Sequence, residues 1–202
     1  ECFGANSYME DTVPPPGAWH VVGSGSSHAC AVLAEDGSVA CWGHNPDGRA
    51  TPPPLTGITH VALGSYHTCA MRLHGSITCF GNDAGGRVAG TAHGGAAVDG
   101  VVFTHSIAGG FSSVCAATEY TCAVAAVDGA LVCWGDATAV LPPVAATWSA
   151  ITCHDEHLCG FHRNDATGEV HCHGYNYGRV TRLVDRTAPT MGFATVSAGR
   201  YH

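Results

Sequence analysis

A unit of about 39 residues recurs along this chain, and no other feature constrains its fold as strongly. Each copy runs from a large apolar residue, three positions on, to Val or Ile, and eight positions on to Cys. A Gly-containing turn then leads to a second Cys, followed by an aromatic residue or His and then Gly. The first clear copy is Trp19, Val22, Cys30 and Cys41-Trp42-Gly43, and the second is Ile58, Val61, Cys69 and Cys79-Phe80-Gly81. Phe111, Val114, Cys122 and Cys133-Trp134-Gly135 make the third; Trp148, Ile151, Cys159 and Cys172-His173-Gly174 make the fourth. Phe193 and Val196 open a further copy that stops at His202, and Cys2-Phe3-Gly4 reads as the end of an earlier one. A period in this range means a modular array.

Each copy reads as a small antiparallel sheet. Ile58–Leu63 is an extended apolar run, Gly64-Ser65 turns it into Thr68–Leu73, and His74-Gly75 turns again into Ser76–Phe80. Asp36-Gly37, Asp128-Gly129 and Thr167-Gly168 occupy the second turn elsewhere, and short hairpin turns of this kind need positive φ. No segment holds a helical period, and 27 Gly with 10 Pro oppose long helices. The expectation is an all-β protein, a β-propeller of four-stranded antiparallel blades. Residues 1–202 form one such domain or part of one. A partial blade covers 1–17, repeats start near 18, 57, 110 and 147, and a partial blade covers 192–202, so five repeats are at least partly covered. Pro52-Pro53-Pro54 and Pro142-Pro143 mark inter-blade connections. The third spacing stretches to 53 residues because of 89–110, expected as a long insertion on the rim. The ring closes at five blades if the terminal halves combine. It has six or seven if more repeats lie outside, which is favoured because the partner of Cys2 is not in this chain.

The two cysteines of a copy flank its turn almost symmetrically, so strand pairing sets them opposite each other. The expected bridges are Cys30–Cys41, Cys69–Cys79, Cys122–Cys133 and Cys159–Cys172, each closing a short loop at about 3 kcal/mol through the unfolded state. Cys115 and Cys153 sit one residue out of register on the first strands of neighbouring repeats, which suggests a blade-to-blade bridge. Eleven cysteines, nearly all with a positional partner, fit an oxidising compartment.

The residues Gly-x-x-His-x-Cys-Ala followed by Asp-Gly-x-Val-x-Cys-Trp-Gly-x-Asn-x-x-Gly carry a family resemblance. They are clearest in His28-Ala29-Cys30-Ala31-Val32 and Cys41-Trp42-Gly43-His44-Asn45-Pro46-Asp47-Gly48. The pattern resembles the regulator of chromosome condensation repeat, in the short cysteine-paired version of Crinkly-type receptor kinase ectodomains. That resemblance implies a β-propeller, commonly seven-bladed, used as a rigid platform for binding proteins. The family places Gln after the late Gly; Arg49, Arg87 and Arg179 stand there instead, a departure that bears on the polar contact usual at that site.

Composition excludes several functions. Net charge is −8, and the eight basic residues are all Arg with no basic run, which argues against nucleic acid, whose binding draws on Lys and Arg. No stretch approaches the eighteen apolar residues of a membrane helix, and no Asn-x-Ser/Thr acceptor for N-glycans is present. No Gly-x-Ser-x-Gly elbow or phosphate loop appears. Asp155-Glu156 reads as solvated turn charge, so the chain is read as not an enzyme, with no cofactor.

Histidine is the most tempting chemical signal, at fourteen residues. His28, His67, His157 and His202 share one repeat position, with Tyr120 in the third copy, and read as buried hydrogen-bond donors tying strands together. His171 and His173 flank Cys172 on one strand face, a spacing that can chelate metal. Cys153-His154-x-x-His157-x-Cys159 has zinc-like spacing, but the repeat register claims both cysteines for bridges. No metal site is therefore assigned. If the histidines charge together near pH 6.5, the −8 balance largely vanishes toward pH ~5.5 and association strengthens.

The favoured function is a non-catalytic extracellular or cell-surface scaffold for other proteins or for copies of itself, within a larger surface, receptor or filament protein. A free secreted inhibitor or lectin-like binder is the alternative, with Tyr8, Tyr175 and Tyr177 as its exposed aromatics. A metal-dependent hydrolase using funnel histidines is the third. No motif identifies binding residues.

Overall fold

The structure, a computed structural model, describes residues 16–88, 103–107, 109–137, 146–163 and 170–174. These form four antiparallel sheets in chain order. The first holds β1 (Trp19–Ser24), β2 (His28–Leu33) and β3 (Val39–Gly43). The second holds β4 (Ile58–Leu63), β5 (His67–Arg72), β6 (Ile77–Gly81) and β7 (Phe103–Ile107). The third holds β8 (Phe111–Ala116), β9 (Tyr120–Ala125) and β10 (Leu131–Gly135). The fourth holds β11 (Trp148–His154), β12 (His157–His162) and β13 (Val170–Gly174).

Strand count is where expectation and structure part. Among the described residues three sheets have three strands and the second has four. The period is the reason: 39 residues separate Trp19 from Ile58, and three strands with their connection use them up. After β3 the chain passes through Pro52-Pro53-Pro54, which lack the N–H a further ladder would need, and no strand forms over 44–57. The longer third spacing supplies the fourth strand. Residues 103–107, inside the stretch expected as rim loop, pair with β6 from Ile77↔Ile107 to Gly81↔Phe103.

The first strand of every sheet slips register at one repeat position, between Trp19/Val21, Ile58/His60, Phe111/Ser113 and Trp148/Ala150. A bulge there sharpens the local twist. Sheets stack face to face through apolar clusters that bridge neighbours. Val32 packs with Ile58, Ala70 and Phe80, and Met71 and Ile77 with Ala123 and Trp134. Tyr120 and Val124 pack with Trp148, Ile151 and Leu158. Val22 has no earlier sheet against it among the described residues and is 69% exposed, whereas Ile151, at the same repeat position, is 7% exposed.

Backbone joins the sheets too. The turn carbonyls of Gly37, Gly75 and Gly129 accept from the amides of Ile58, Phe111 and Trp148, at 3.0, 3.1 and 2.7 Å. These glycines have φ of 69°, 81° and 76°. A Cβ would lie 2.6, 2.3 and 2.8 Å from the next sheet, so only glycine permits this approach.

Candidate functional site: the seams between sheets

All five bridges read from the repeat register form. Cys30–Cys41, Cys69–Cys79, Cys122–Cys133 and Cys159–Cys172 staple β2, β5, β9 and β12 to the strand that follows. Cys115–Cys153 joins the third sheet to the fourth with Cα atoms 5.6 Å apart. Cys2 lies outside the described residues.

His28 and His67 are buried, and each ties one sheet to the next, not strands within one sheet. His28 Nε2 lies 2.8 Å from Thr68 Oγ1, and His67 Nε2 lies 2.7 Å from Thr121 Oγ1, each across a seam. The tautomer follows from the threonines. Thr68 donates its one proton to the Arg49 carbonyl at 2.8 Å, and Thr121 donates to the Arg87 carbonyl at 2.9 Å. Both hydroxyls must therefore accept, so both imidazoles carry hydrogen on Nε2. Burial, aided by nearby Arg49 and Arg87 respectively, lowers the His28 pKa to about 4 and the His67 pKa to about 3. These rings are neutral at pH 5.5, so they add no charge to the acid-induced neutralisation expected from composition.

At the third seam Tyr120 stands in the histidine position and donates its hydroxyl to the His157 carbonyl at 2.8 Å. Leu158 occupies the threonine position there. His157 is buried, and His202 lies outside the described residues.

The arginines at the position after the late Gly make polar contacts across the seams. Arg49 and Arg87 are 4% and 3% exposed and donate to the carbonyls of Ser65 and Thr118, at 2.5 and 2.8 Å. Asp47 clasps Arg49 through both carboxylate oxygens, at 2.7 and 2.6 Å, and Glu119 pairs with Arg87 at 2.8 Å. Tyr66 lies between them, its ring centroid 5.0 and 5.3 Å from the two guanidinium carbons. Arg179 lies outside the described residues.

A chain of hydroxyls links the loops between first and second strands. Ser26 Oγ lies 2.8 Å from Ser65 Oγ, which lies 2.8 Å from Thr118 Oγ1, and Thr118 donates to Asp155 Oδ1. The carboxylate only accepts, so the proton order is set: Ser26 donates to Ser65, Ser65 to Thr118, Thr118 to Asp155. Asp155 and Glu156 form the β11–β12 turn, where Asp155 takes φ of 40°. The acidic pair is thus turn charge, but one carboxylate closes a polar chain across four sheets.

His171 and His173 share a face with residues of neighbouring strands. His162 stacks on His171 at 3.8 Å, and Trp148 meets His162 edge-on at 4.7 Å and His173 at 5.8 Å. Burial first, then the neighbouring His171, lowers the His173 pKa. No group of three or more His, Cys, Asp or Glu suited to a metal occurs among the described residues. Cys153 and Cys159 of the zinc-like stretch are both in disulfides. Tyr8, Tyr175 and Tyr177 lie outside the described residues.

Residues 20–49 and 58–87 match the family model of the regulator of chromosome condensation (RCC1) repeat. Those two segments are RCC1 repeats. Solved structures agree on the fold. The ectodomain of the Physcomitrella patens receptor kinase CR4 superposes with a TM-score of 0.53 at 20% identity, over 79% of this chain and 40% of that one. The CRINKLY WD40 ectodomain of the Arabidopsis thaliana receptor kinase ACR4 gives 0.51 at 20%, over 77% and 49%. Prp20p from Saccharomyces cerevisiae, studied for its binding to Gsp1p and histones, gives 0.64 at 15%, over 84% and 50%. At these identities the likeness is one of fold, an RCC1-like β-propeller. The chain spans half or less of the length of each of these structures.

Proposed function

We propose that this RCC1-repeat chain is a non-catalytic, extracellular protein-interaction domain within a larger surface or secreted protein. The observation that carries the reading is covalent fixation at two levels. Four bridges staple strands inside sheets, and Cys115–Cys153 staples one sheet to the next. Ten cysteines in bridges need an oxidising compartment, and the product is a stiff body that presents loops without reshaping them. Receptor ectodomains among the fold neighbours support the same assignment.

A chromatin role, suggested by the fold of Prp20p, has less behind it. Two of the eight arginines, Arg49 and Arg87, are spent inside the seams on carbonyls and carboxylates, and no lysine exists to replace them. That leaves little cationic surface for phosphate.

Thiol counting on protein taken from its native source tests the reading. The ten paired cysteines are expected to resist maleimide until reduction, and the protein to react with a membrane-impermeant label on intact cells or to appear in the medium. Free thiols at those ten positions in protein shielded from the label overturn it.

A further inference from the structure

In the third sheet, and in no other described sheet, a third sulfur stands in line with the bridge. The residue opposite the β2-type cysteine on the first strand is Gly23 against Cys30, Ala62 against Cys69 and Thr152 against Cys159. In the third sheet it is Cys115 against Cys122, and Cys122 is itself opposite Cys133. Directly opposed residues of an antiparallel ladder point to the same face, with Cβ atoms about 4.5–5.5 Å apart. Three sulfurs therefore lie in a row across β8, β9 and β10. Cys153 reaches this row from the fourth sheet, and all four sit in one apolar cluster. Cys115, Cys122 and Cys153 are buried within it, while Cys133 is only partly buried.

We propose that this row is a thiol–disulfide relay that makes the joint between third and fourth sheets reductively openable from the surface side at Cys133. The co-reactant is a dithiol reductant. Its thiolate attacks Sγ of Cys133, a mixed disulfide forms, and Cys122 leaves as a thiolate. Cys122 attacks Sγ of Cys115, the Cys115–Cys122 bond forms, the Cys115–Cys153 bond breaks, and Cys153 leaves as a thiolate that takes a proton from water. The second thiol of the reductant then displaces Cys133 and closes the reductant's own disulfide. The dithiol loses two electrons, and Cys133 and Cys153 end as thiols. The chain keeps a bridge inside the third sheet and loses the one that held two sheets together. Exchange of this kind needs a thiolate beside a disulfide sulfur, which the register provides here and withholds in the other three sheets.

Substoichiometric dithiothreitol, acid quenching, N-ethylmaleimide labelling and peptide mapping test it on the whole chain. Cleavage after Glu119 separates Cys115 from Cys122, and cleavage after Asp128 separates Cys122 from Cys133. The expected species carries label on Cys133 and Cys153 together, with the Cys115 and Cys122 peptides joined. Label only on native partners, Cys122 with Cys133 or Cys115 with Cys153, and no Cys115–Cys122 peptide overturns the relay. Cys133→Ser gives a second readout with no reductant. Its unpaired Cys122 is expected to displace Cys153, so maleimide marks Cys153; a label confined to Cys122 overturns the proposal as well.

Discussion

Across the seam between second and third sheets, His67 gives its Nε2 hydrogen to Thr121; across the next, Tyr120 gives its hydroxyl to the His157 carbonyl. The first arrangement needs a hydroxyl acceptor on the receiving strand, and both Thr68 and Thr121 supply one. The second reaches past the side chain to backbone, so Leu158 can stand where threonine stood. Donor and acceptor positions changed together. The third seam also carries Cys115–Cys153, which the others lack. One seam type rests on a buried neutral imidazole, the other on a phenol and a covalent bond, and they answer differently to reductant and to acid.

Removing the covalent bond has the largest expected effect. A bridge spanning 38 residues contributes about 4 kcal/mol on the loop-entropy model, against about 3 kcal/mol for one spanning 11. Cys115→Ala with Cys153→Ala is therefore expected to lower unfolding free energy in denaturant titration more than Cys30→Ala with Cys41→Ala does. Equal losses would place the third seam on the same footing as the first.

Acid separates the seams next. His28 and His67 have folded pKa values lowered to about 4 and about 3, against about 6.5 unfolded. Their contribution is complete above pH 6.5 and is lost as pH falls toward the folded values, because the unfolded chain takes up protons that the folded seams refuse. The slope is about 1.4 kcal/mol per pH unit for each ring. Tyr120, whose pKa burial raises, is uncharged throughout this window. Stability measured between pH 7 and pH 5 is expected to fall, and His67→Gln to flatten the decline. An unchanged slope in that variant would remove His67 from the account.

The cysteine and histidine positions were legible because a repeat displays them in the same place in each copy. Cys30 and Cys41 flank a turn whose pairing is local, so sequence distance alone sets them opposite each other. The partners across a seam were not legible. Thr68 lies 40 residues from His28 and Thr121 lies 54 from His67, since the extra residues before β8 intervene, so no fixed offset marks them. His162 stacks on His171 across a strand pair, outside the reach of an alternating pattern within one strand. Arg49 and Arg87 looked like departures from a motif, and only the packed loops show what their guanidinium groups grasp. The four-stranded unit rests on the period alone; 39 residues accommodate three strands and a proline-bearing connection, and among the described residues the second sheet alone shows a fourth strand.

Exchanging one seam's chemistry for the other's has a smaller expected effect. Tyr120→Phe removes the donor to the His157 carbonyl, at a cost of about 1 kcal/mol. Tyr120→His with Leu158→Thr rebuilds the pair of the other seams, but Ala117 stands where Gly25 and Gly64 stand. A Cβ at those glycines would lie 2.6 and 2.8 Å from the imidazole Cε1 of His28 and His67. Recovery is thus expected only when Ala117→Gly is added, with a favourable coupling of about 1 kcal/mol across the mutant cycle. Full recovery by the pair without glycine would show that the Gly-x-x-His spacing is not a steric requirement of this seam.

The hydroxyl chain offers the finest contrast, between its middle and its end. Ser65 accepts from Ser26 and donates to Thr118, so Ser65→Ala strips one partner from each neighbour. Ser26→Ala removes only the outermost donor, at an exposed pair where water takes its place. Losses of about 1 kcal/mol and below about 0.5 kcal/mol are expected in denaturant titration. The direction of the protons matters more than the size of the difference. Asp155→Asn keeps the shape but offers an amide, whose NH₂ group can turn the Thr118 hydroxyl around and with it Ser65 and Ser26. If the chain is polarised toward the carboxylate, Asp155→Asn weakens the effect of Ser65→Ala in a double-mutant cycle. Strict additivity would mean that the loops hold their places without any ordered run of protons between them.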